Sequence, residues 1–517
     1  MTLLATGCSG PGISEKVYTA PSVVAPVPGD YPDGLTEAAP AEVVDVEGGD
    51  DWRYREIDST DEFDDSPETP FKDVATSPLS TFSADVDTAS YSWFRKQVSN
   101  GIAPDGIRIE ELVNYFDYDY PAPDPGSDQP FTVTTQVAQA PWAPEHQLAL
   151  IGVQATKAVP TSEGNNIVLL ADVSGSMASE DKLGLLIQAF AMLVEQLDGN
   201  DRVSIVTYAG SDQVIADGVP GNQHLELIGK LNSLYADGST AGAAGITTAY
   251  ELARKHFIEG GNNRVILATD GDFNVGQSSV EDLTDLIEQQ RESGVYISVL
   301  GFGMGNLKDN MMESIADHGN GNYAYIDTLN EARKVLVDEF DATMFVVAQD
   351  LKLQVEFNPA VVKEYRLIGY NNRRLENEDF DDDTKDAGDV GAGHSVTALY
   401  ELIPADGTQT KLKYQEQRVG DSTDFLTVKV RYKDPGDAES KLIEQPVTVS
   451  EYTETPGGEF AFATAVAELG LLVTDSQYAG QASIDAVIER ADSSRGSDPY
   501  SLRAEFVDLA RAYKQII

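Results

Sequence analysis

The stretch that decides the fold is IVLLADVSGS, residues 167–176. Its first five residues are all apolar, which is typical of a β-strand buried on both faces of a parallel sheet. The run ends at Asp172, and small polar residues follow at once. Because ligands of open α/β sheets bind where the strands end, residues 172–176 are the first candidate for a functional loop.

Strands and helices alternate from this stretch onward, over about 175 residues. Further apolar runs with strand character lie at 203–208, 213–216, 265–270, 296–301 and 323–326. Segments with helical periodicity lie between or after them, at 182–197, 223–234, 243–258, 279–292, 307–317 and 330–340. The alternation predicts a mostly parallel, Rossmann-like sheet with helices on both faces.

The chain on both sides of this block has β character. Strand-like runs precede it at 81–87, 131–137 and 147–153 and follow it at 351–357, 362–369, 395–402, 424–432 and 442–449. Helical stretches are predicted at 88–98, 108–116, 460–474, 482–491 and 499–515. The fold class is therefore α/β plus β: an α/β domain inserted in a β-rich domain, with a C-terminal helical segment. We divide the chain into an N-terminal segment that contains the cysteine (1–8), an acidic segment (9–74), a first region with β-strands (75–160), the α/β domain (165–342), a β-rich region (345–455) and a helical C-terminal region (458–517).

Charge and hydropathy exclude a nucleic-acid partner and a membrane-spanning segment. The 517 residues hold 86 acidic and 36 basic side chains, a formal charge of −50. Nucleic-acid binding needs a basic surface, so no nucleic-acid partner is expected. Residues 1–70 carry a net charge of −13 with few apolar residues, which indicates an acidic, disordered tether over 9–74. No stretch reaches the roughly 18 apolar residues of a membrane span, and the 14 residues 460–473 read as a buried helix.

The single cysteine, Cys8, excludes an intrachain disulfide. It follows the sequence LLATG, which resembles the lipobox of bacterial lipoproteins, in which the cysteine is lipidated. The apolar stretch is too short for a whole signal and lacks a basic segment. Either the coding sequence starts upstream of Met1 or the match arose by chance. The first reading makes the protein a membrane-anchored lipoprotein of the cell envelope, on the periplasmic or surface side.

Three sequence pieces converge on the carboxyl edge of the predicted sheet. They are the Asp172-x-Ser174-x-Ser176 motif, Thr240 in a glycine-rich loop, and Asp270 at the end of the strand that begins at residue 265. Together they resemble the metal-ion-dependent adhesion site (MIDAS) of von Willebrand factor type A (VWFA) domains. This resemblance implies a metal held by the three hydroxyls directly and by the two carboxylates largely through water.

Mg²⁺ suits this oxygen-only donor set, with Mn²⁺ or Ca²⁺ as alternatives. In the family, an acidic side chain of a partner protein fills the open coordination position. We expect Asp172→Ala to abolish Mg²⁺ binding and leave the fold intact, on the assumption that Asp172 lies in a polar loop outside the core.

The resemblance extends over residues 75–517. Residues 82–91, 108–116, 141–142, 386–388, 393–401 and 460–513 look like a bacterial von Willebrand A lipoprotein family often labelled calcium-activated chloride channel-like. The absence of an apolar span gives the channel label no support. What the resemblance implies is a non-catalytic, adhesion-type binding protein of the envelope that recognises an unknown protein ligand. The alternatives are a metal-dependent envelope enzyme and an intracellular assembly factor working with an ATPase.

Other motifs give weaker indications. Asp85-x-Asp87 resembles a phosphatase nucleophile pair, but capping of the following helix explains Asp87 better. The spacing of Asp379, Asp381 and Asp383 resembles a calcium loop without its glycine and final glutamate, so we predict a solvated acidic turn. We expect His394 to make a structural hydrogen bond, and the sequence offers no catalytic residue or organic cofactor site.

Overall fold

Three β-sheets and twelve α-helices make up the described part of the chain. The computed structural model describes residues 61, 63, 67–84, 87–124, 127–157, 163–239, 242–271, 280–305, 307–406 and 424–517. The elements that precede the α/β block are β1 (Lys72–Asp73), β2 (Leu79–Ser83), α1 (Ala89–Ser99), α2 (Ile109–Asn114), β3 (Phe131–Ala140) and β4 (Ala143–Ala155).

The α/β block begins at the decisive stretch. Its elements are β5 (Asn165–Asp172), α3 (Leu185–Val194), β6 (Arg202–Tyr208), β7 (Asp212–Pro220), α4 (His224–Leu231), α5 (Gly242–Lys255), β8 (Asn262–Thr269), α6 (Val280–Arg291), β9 (Tyr296–Phe302), α7 (Asp309–His318), β10 (Tyr323–Ile326), α8 (Leu329–Arg333) and α9 (Phe340–Met344). Two π-helical segments, Glu180–Gly184 and Lys334–Asp338, interrupt its helices.

The remaining elements return to β-structure and then to helices. They are β11 (Val346–Phe357), β12 (Val362–Ile368), β13 (Arg374–Leu375), β14 (Gly388–Gly391), β15 (Ser395–Pro404), β16 (Asp424–Lys433), β17 (Lys441–Thr448), β18 (Tyr452–Thr453), α10 (Gly458–Val473), α11 (Ile484–Ser493) and α12 (Leu502–Ile516).

The sheet of the α/β block has the strand order β10-β9-β8-β5-β6-β7. All pairs are parallel except β6–β7, which is antiparallel. Successive side chains of β5 point to opposite faces, so Leu169 and Leu170 enter two different apolar cores, one on each side of the sheet. This arrangement confirms the predicted Rossmann-like domain with helices on both faces.

Strands from both ends of the chain build the other two sheets. One has the order β1-β12-β15-β4-β3-β18 and the other β13-β2-β11-β16-β17, with β14 also pairing with β11. The pairs β4–β15 and β2–β11 each join a strand that precedes the α/β block to one that follows it. The block is therefore inserted in a β-rich domain, as predicted.

A common core joins these two sheets, with Phe82, Ile151, Leu353 and Tyr400 among its buried members. Helices α1, α2 and α10–α12 form a separate apolar cluster against the outer side of β3 and β4. The apolar segment 460–473 lies in α10, whose residues from Phe460 to Leu471 are buried within the protein. No helix of the described residues has the length and apolarity that crossing a bilayer requires.

Helix α1 also contacts the α/β block, to which it does not belong in sequence. The Trp93 ring packs edge-on against Tyr325 of β10, with ring centroids 5.3 Å apart. Trp93 is accordingly buried in the apolar core on one face of the parallel sheet. The inserted block is thus fixed to the N-terminal region by packing as well as by its two chain connections.

Two local expectations need correction. Order begins before the predicted end of the tether at residue 74, because β1 pairs with β12 and Val74 is buried in the β-rich core. The helix predicted from residue 182 starts with the π-helical segment Glu180–Gly184, and regular α-helix begins only at Leu185. Periodicity alone does not show the extra residue that a π-turn adds.

Candidate functional site

The loop after β5 carries the predicted motif at the carboxyl edge of the parallel sheet. Asp172 is the last residue of the strand, and a short 3₁₀ helix covers Gly175–Ala178. A neighbouring loop holds this one in place, since Asp237 N donates to the Val173 carbonyl at 2.8 Å and Gly175 N donates to the Gly238 carbonyl at 3.1 Å. The structure therefore brings the chain just before Thr240 against the Asp-x-Ser-x-Ser loop.

The two serine hydroxyls of the motif lie together. Ser174 Oγ and Ser176 Oγ are 3.0 Å apart. Ser174 is 1% exposed, whereas Ser176 is exposed to solvent. The pair thus links the buried base of the loop to the protein surface, an arrangement that allows a ligand to approach from outside.

Asp172 is fully buried, contrary to the expectation that it lies outside the core. Its Oδ1 accepts a hydrogen bond from Ser174 N at 2.8 Å, and its Oδ2 accepts from the hydroxyls of Tyr208 and Thr269, each at 3.1 Å. Burial raises the pKa of Asp172 to about 6; the Ser174 hydrogen bonds act in the opposite direction, while the Asp270 charge raises it further. Asp172 therefore shapes the loop in addition to its predicted role as a ligand.

Asp270 follows β8 and is buried at the same edge. Its Oδ2 accepts a hydrogen bond from Lys182 Nζ at 2.8 Å, and the side chain of Lys182 is only 9% exposed. We expected Lys182 only as the first residue of a helix. A signal was present in the sequence, because Lys182 is the one cation between Asp172 and the apolar helix that follows.

Two further predicted positions, Thr240 and Cys8, lie outside the described residues. The described residues contain no cluster of three or more histidine, cysteine, aspartate or glutamate side chains that could hold a metal. The predicted donor set has another composition, with two carboxylates and serine hydroxyls. These oxygen donors fit a hard cation, and among the described residues the ammonium of Lys182 is the group that would compete with it for Asp270.

The weaker motifs have structural roles. Asp87 accepts hydrogen bonds from Tyr323 N and Arg373, so the predicted capping of α1 is wrong: the N-cap of α1 is Thr88, which makes no side-chain cap hydrogen bond. Position 85 of the same motif lies outside the described residues.

The acidic turn near residue 380 is held by lysines. Lys352 Nζ donates to the carbonyls of Asp379 and Asp382 at 3.1 and 2.5 Å, and Lys433 Nζ donates to that of Asp383 at 2.7 Å. Asp381 pairs with Arg431. Because ammonium groups take up these carbonyls, the turn does not fit a calcium loop.

His394 differs from expectation. Its Nδ1 is buried and has no hydrogen-bond partner among the described residues. Burial lowers the pKa of His394 to about 4, opposed by the charge of Asp117. The half-buried side chain is therefore neutral at pH 7.

An exposed aromatic side chain marks the surface next to the site. Tyr235 is 73% exposed and lies two residues before Asp237, which is bonded to the Asp-x-Ser-x-Ser loop. Exposed tyrosines are enriched among the residues that dominate protein–protein binding energies. The edge of the candidate site thus combines a polar loop with an exposed aromatic side chain.

Comparisons with known proteins agree with this architecture. Residues 166–338 match the family model described as "von Willebrand factor type A domain", residues 57–150 match "von Willebrand factor", and residues 342–516 match "Uncharacterized protein YfbK, C-terminal". Domains of the type A family mediate protein interactions and commonly bind a divalent metal at the adhesion site.

Individual relatives extend the match to most of the chain. "Uncharacterized protein YfbK" of Escherichia coli (strain K12) is 40% identical over 493 residues, 92% of this chain and 83% of that protein. "Uncharacterized protein sll0103" of Synechocystis sp. is 22% identical over 56% of this chain and 66% of its own length. A solved structure, "von Willebrand factor type A from Catenulispora acidiphila", covers 77% of this chain and 91% of its own at 17% identity and a TM-score of 0.44. The 40% identity with the Escherichia coli protein over most of both chains shows that this chain belongs to the YfbK family of bacterial von Willebrand factor type A proteins.

Proposed function

We propose that this protein is a non-catalytic binding protein of the cell envelope that recognises a carboxylate of a partner protein through Mg²⁺. The metal ligands in this proposal are Asp172, Ser174, Ser176, Thr240 and Asp270. Mn²⁺ or Ca²⁺ could occupy the same oxygen donors. The single observation that carries the proposal is the placement of the Ser174 and Ser176 hydroxyls 3.0 Å apart at the carboxyl edge of the sheet.

The chemistry of the site favours binding over catalysis. When bound, the cation would supply a positive charge to which an acidic side chain of the partner is attracted. Asp172 accepts three hydrogen bonds from its own surroundings, and Asp270 accepts one from Lys182. Both carboxylates are therefore engaged in holding the site, and neither is placed to abstract a proton from a substrate.

The surroundings support a protein ligand. Ser176 is exposed, and Tyr235 stands on the neighbouring loop with 73% of its surface exposed. A partner that bound the cation would cover this ring, and a buried tyrosine contributes both apolar area and a hydroxyl to an interface. The docking surface in this proposal is the edge formed by these two loops.

Membrane attachment is a separate part of the proposal. Lipidation at Cys8 would fix the protein to the cell envelope, with the acidic N-terminal segment as a tether. Expression with the upstream genomic sequence, followed by fractionation of wild type and Cys8→Ser, tests this part. We expect the wild type in the membrane fraction and the variant in the soluble fraction; a wild type that is soluble in the cytosol contradicts it.

Capture of envelope proteins with and without EDTA tests the binding function. Ser176→Ala removes an exposed donor and should abolish metal-dependent capture, whereas the matched control Ser179→Ala removes an exposed hydroxyl outside the motif and should retain it. Capture that survives EDTA and Ser176→Ala alike places recognition elsewhere on the chain. Metal-dependent hydrolytic turnover by the purified protein would favour the alternative of an envelope enzyme. Nucleotide-dependent capture of an ATPase in the cytosol would favour the alternative of an assembly factor.

The charge of the chain adds a kinetic test. A formal charge of −50 repels an acidic partner at long range. At fixed Mg²⁺, moderate NaCl should therefore speed association by screening this repulsion. Association that slows steadily with salt indicates a partner with a basic surface instead.

A further inference from the structure

Lys182 lies beneath the candidate metal site as a buried cation. Its Nζ is 2.8 Å from Asp270 Oδ2, and its side chain is 9% exposed. Asp270 is the only carboxylate with which Lys182 forms an ion pair among the described residues. A buried carboxylate needs such a partner, since an uncompensated charge in the interior is strongly destabilising.

The backbone is shaped to admit this side chain. Lys182 is the central residue of the π-helical segment Glu180–Gly184, and π-turns of this kind are frequent at functional sites. On the other side, Gly303 follows β9 with φ of +73°, and a Cβ at that position would overlap the Cγ and Cε atoms of Lys182. Tyr325 fixes this turn by donating a hydrogen bond to the Gly303 carbonyl at 2.9 Å. Two elements distant in sequence therefore leave room for the stem of one lysine.

The position of Lys182 conflicts with simple metal binding. The proposed function assigns the Asp270 carboxylate to the metal or to a metal-bound water, and Lys182 already contacts one of its two oxygens. A divalent cation that takes this oxygen competes with the ammonium group for it, and the repulsion between the two cations favours withdrawal of the ammonium. The withdrawn ammonium remains tethered to the site by its stem, where it needs a new counter-ion.

We propose that Lys182 is an exchangeable counter-ion of the metal site: its ammonium group leaves Asp270 when the divalent cation binds and pairs with the carboxylate of an acidic ligand instead. The cation and the acidic ligand therefore bind cooperatively. The inference rests on the proposed function. Two site carboxylates, one lysine and one divalent cation together carry one excess positive charge, which the carboxylate of a partner neutralises. By linkage, the acidic ligand then raises the affinity for the cation as much as the cation raises the affinity for the ligand.

Lys182→Met tests the thermodynamic part, since it keeps the stem and removes the charge. Mn²⁺ binding to the full chain is measured by electron paramagnetic resonance. The part of this binding that Ser176→Ala abolishes is assigned to the candidate metal site. Without added carboxylate, Lys182→Met should bind Mn²⁺ about tenfold more tightly than the wild type. Glutarate in millimolar excess should tighten Mn²⁺ binding several-fold in the wild type and much less in Lys182→Met. The matched control Lys255→Met, which removes an exposed lysine of the same domain, should behave as the wild type.

A second measurement needs no variant. Acetylation of the wild-type protein by sulfo-NHS-acetate, mapped by mass spectrometry, reports the exposure of each lysine. Mg²⁺ should raise the labelling rate of Lys182 several-fold and leave that of Lys255 unchanged.

The outcomes separate the two proposals. Absence of Ser176-dependent Mn²⁺ binding in both wild type and Lys182→Met overturns the proposed function and this inference with it. If the wild type binds Mn²⁺ at this site at least as tightly as Lys182→Met does, the inference alone is overturned. An unchanged labelling rate of Lys182 at saturating Mg²⁺ does the same, even if Lys182→Met fails to fold.

Discussion

Asp270 and Asp327 stand in the same kind of position but have different surroundings. Each is the first residue after a parallel strand of the same sheet, β8 for Asp270 and β10 for Asp327. Asp270 faces Lys182 from its own domain through one contact of 2.8 Å. Asp327 faces Arg95 of α1, a helix from outside the α/β block, which donates through both Nε and Nη2.

The cationic side chain that pairs with each carboxylate decides the role of that carboxylate. Arg95 also contacts Glu331 at 2.7 Å and Glu505 of the last helix at 3.0 Å, so Asp327 lies under a network that joins three parts of the chain. A guanidinium held by two parallel hydrogen bonds is a structural connection, whereas a lysine is a single point charge on a flexible stem. The strand-end carboxylate at β10 is thus committed to packing between three parts of the chain, whereas the one at β8 is paired with a lysine of its own domain.

The largest effect should come from the covered region. Arg95→Leu leaves the carboxylates of Asp327 and Glu331 buried without their cation, so the free energy of unfolding should fall by about 3–5 kcal/mol. Urea denaturation followed by circular dichroism measures this loss. Arg511→Leu is the control, because Arg511 pairs at the exposed surface and should change stability by less than about 0.5 kcal/mol. Equal effects of the two variants would show that Arg95 contributes no more to stability than an exposed arginine.

Asp172→Ala should cost both binding and stability. Three donors, on Ser174, Tyr208 and Thr269, lose their buried acceptor, and we expect destabilisation on the order of 3 kcal/mol. The urea midpoint measures it against Asp237→Ala, which removes an exposed carboxylate from the adjacent loop. A fully stable Asp172→Ala protein would restore the original expectation that Asp172 serves only as a ligand.

Acid should weaken the fold through His394. Its pKa is lowered from 6.5 to about 4 by burial, so the unfolded chain binds the extra proton first as the pH falls. The stability contributed by the neutral imidazole is complete above pH 6.5 and is lost between about 6.5 and 4. Relative to His394→Gln, the wild type should lose about 2 kcal/mol between pH 7 and pH 4.5. Parallel pH profiles of the two proteins in urea denaturation would contradict this assignment.

Ser176→Ala should have the smallest effect on stability and a complete effect on the metal. The exposed hydroxyl makes one contact, with Ser174, so the urea midpoint should shift by less than about 0.5 kcal/mol. Isothermal titration should nevertheless show no Mg²⁺ binding at the site. Ser179→Ala should retain Mg²⁺ binding, and retention of binding by Ser176→Ala would remove this serine from the ligand set.

The fold class could be predicted from sequence because it depends on local patterns. A run such as residues 167–171 is apolar throughout only if both faces are covered, and the alternation that follows requires parallel strands. The sequence also predicted a β-rich domain built from strands on both sides of the insertion, but not its individual strand pairs, such as β2–β11. The start of regular helix at Leu185 was missed, because a π-turn leaves the periodicity of the following residues intact.

The sequence by itself determined the inserted α/β block and the polar residues at the carboxyl ends of its strands, because strand periodicity and strand-end motifs are encoded by neighbouring residues. Only the tertiary structure decided which of those residues is paired, and with what. Lys182 reaches Asp270 across 88 residues and Arg95 reaches Asp327 across 232, and no local pattern records contacts of that range. The burial of Asp172 is of the same kind, since its acceptors are satisfied by groups on β6 and β8. These buried contacts join residues that only the folding of the whole chain brings together, and the low dielectric of the interior then strengthens them, so they had to be read from the folded chain.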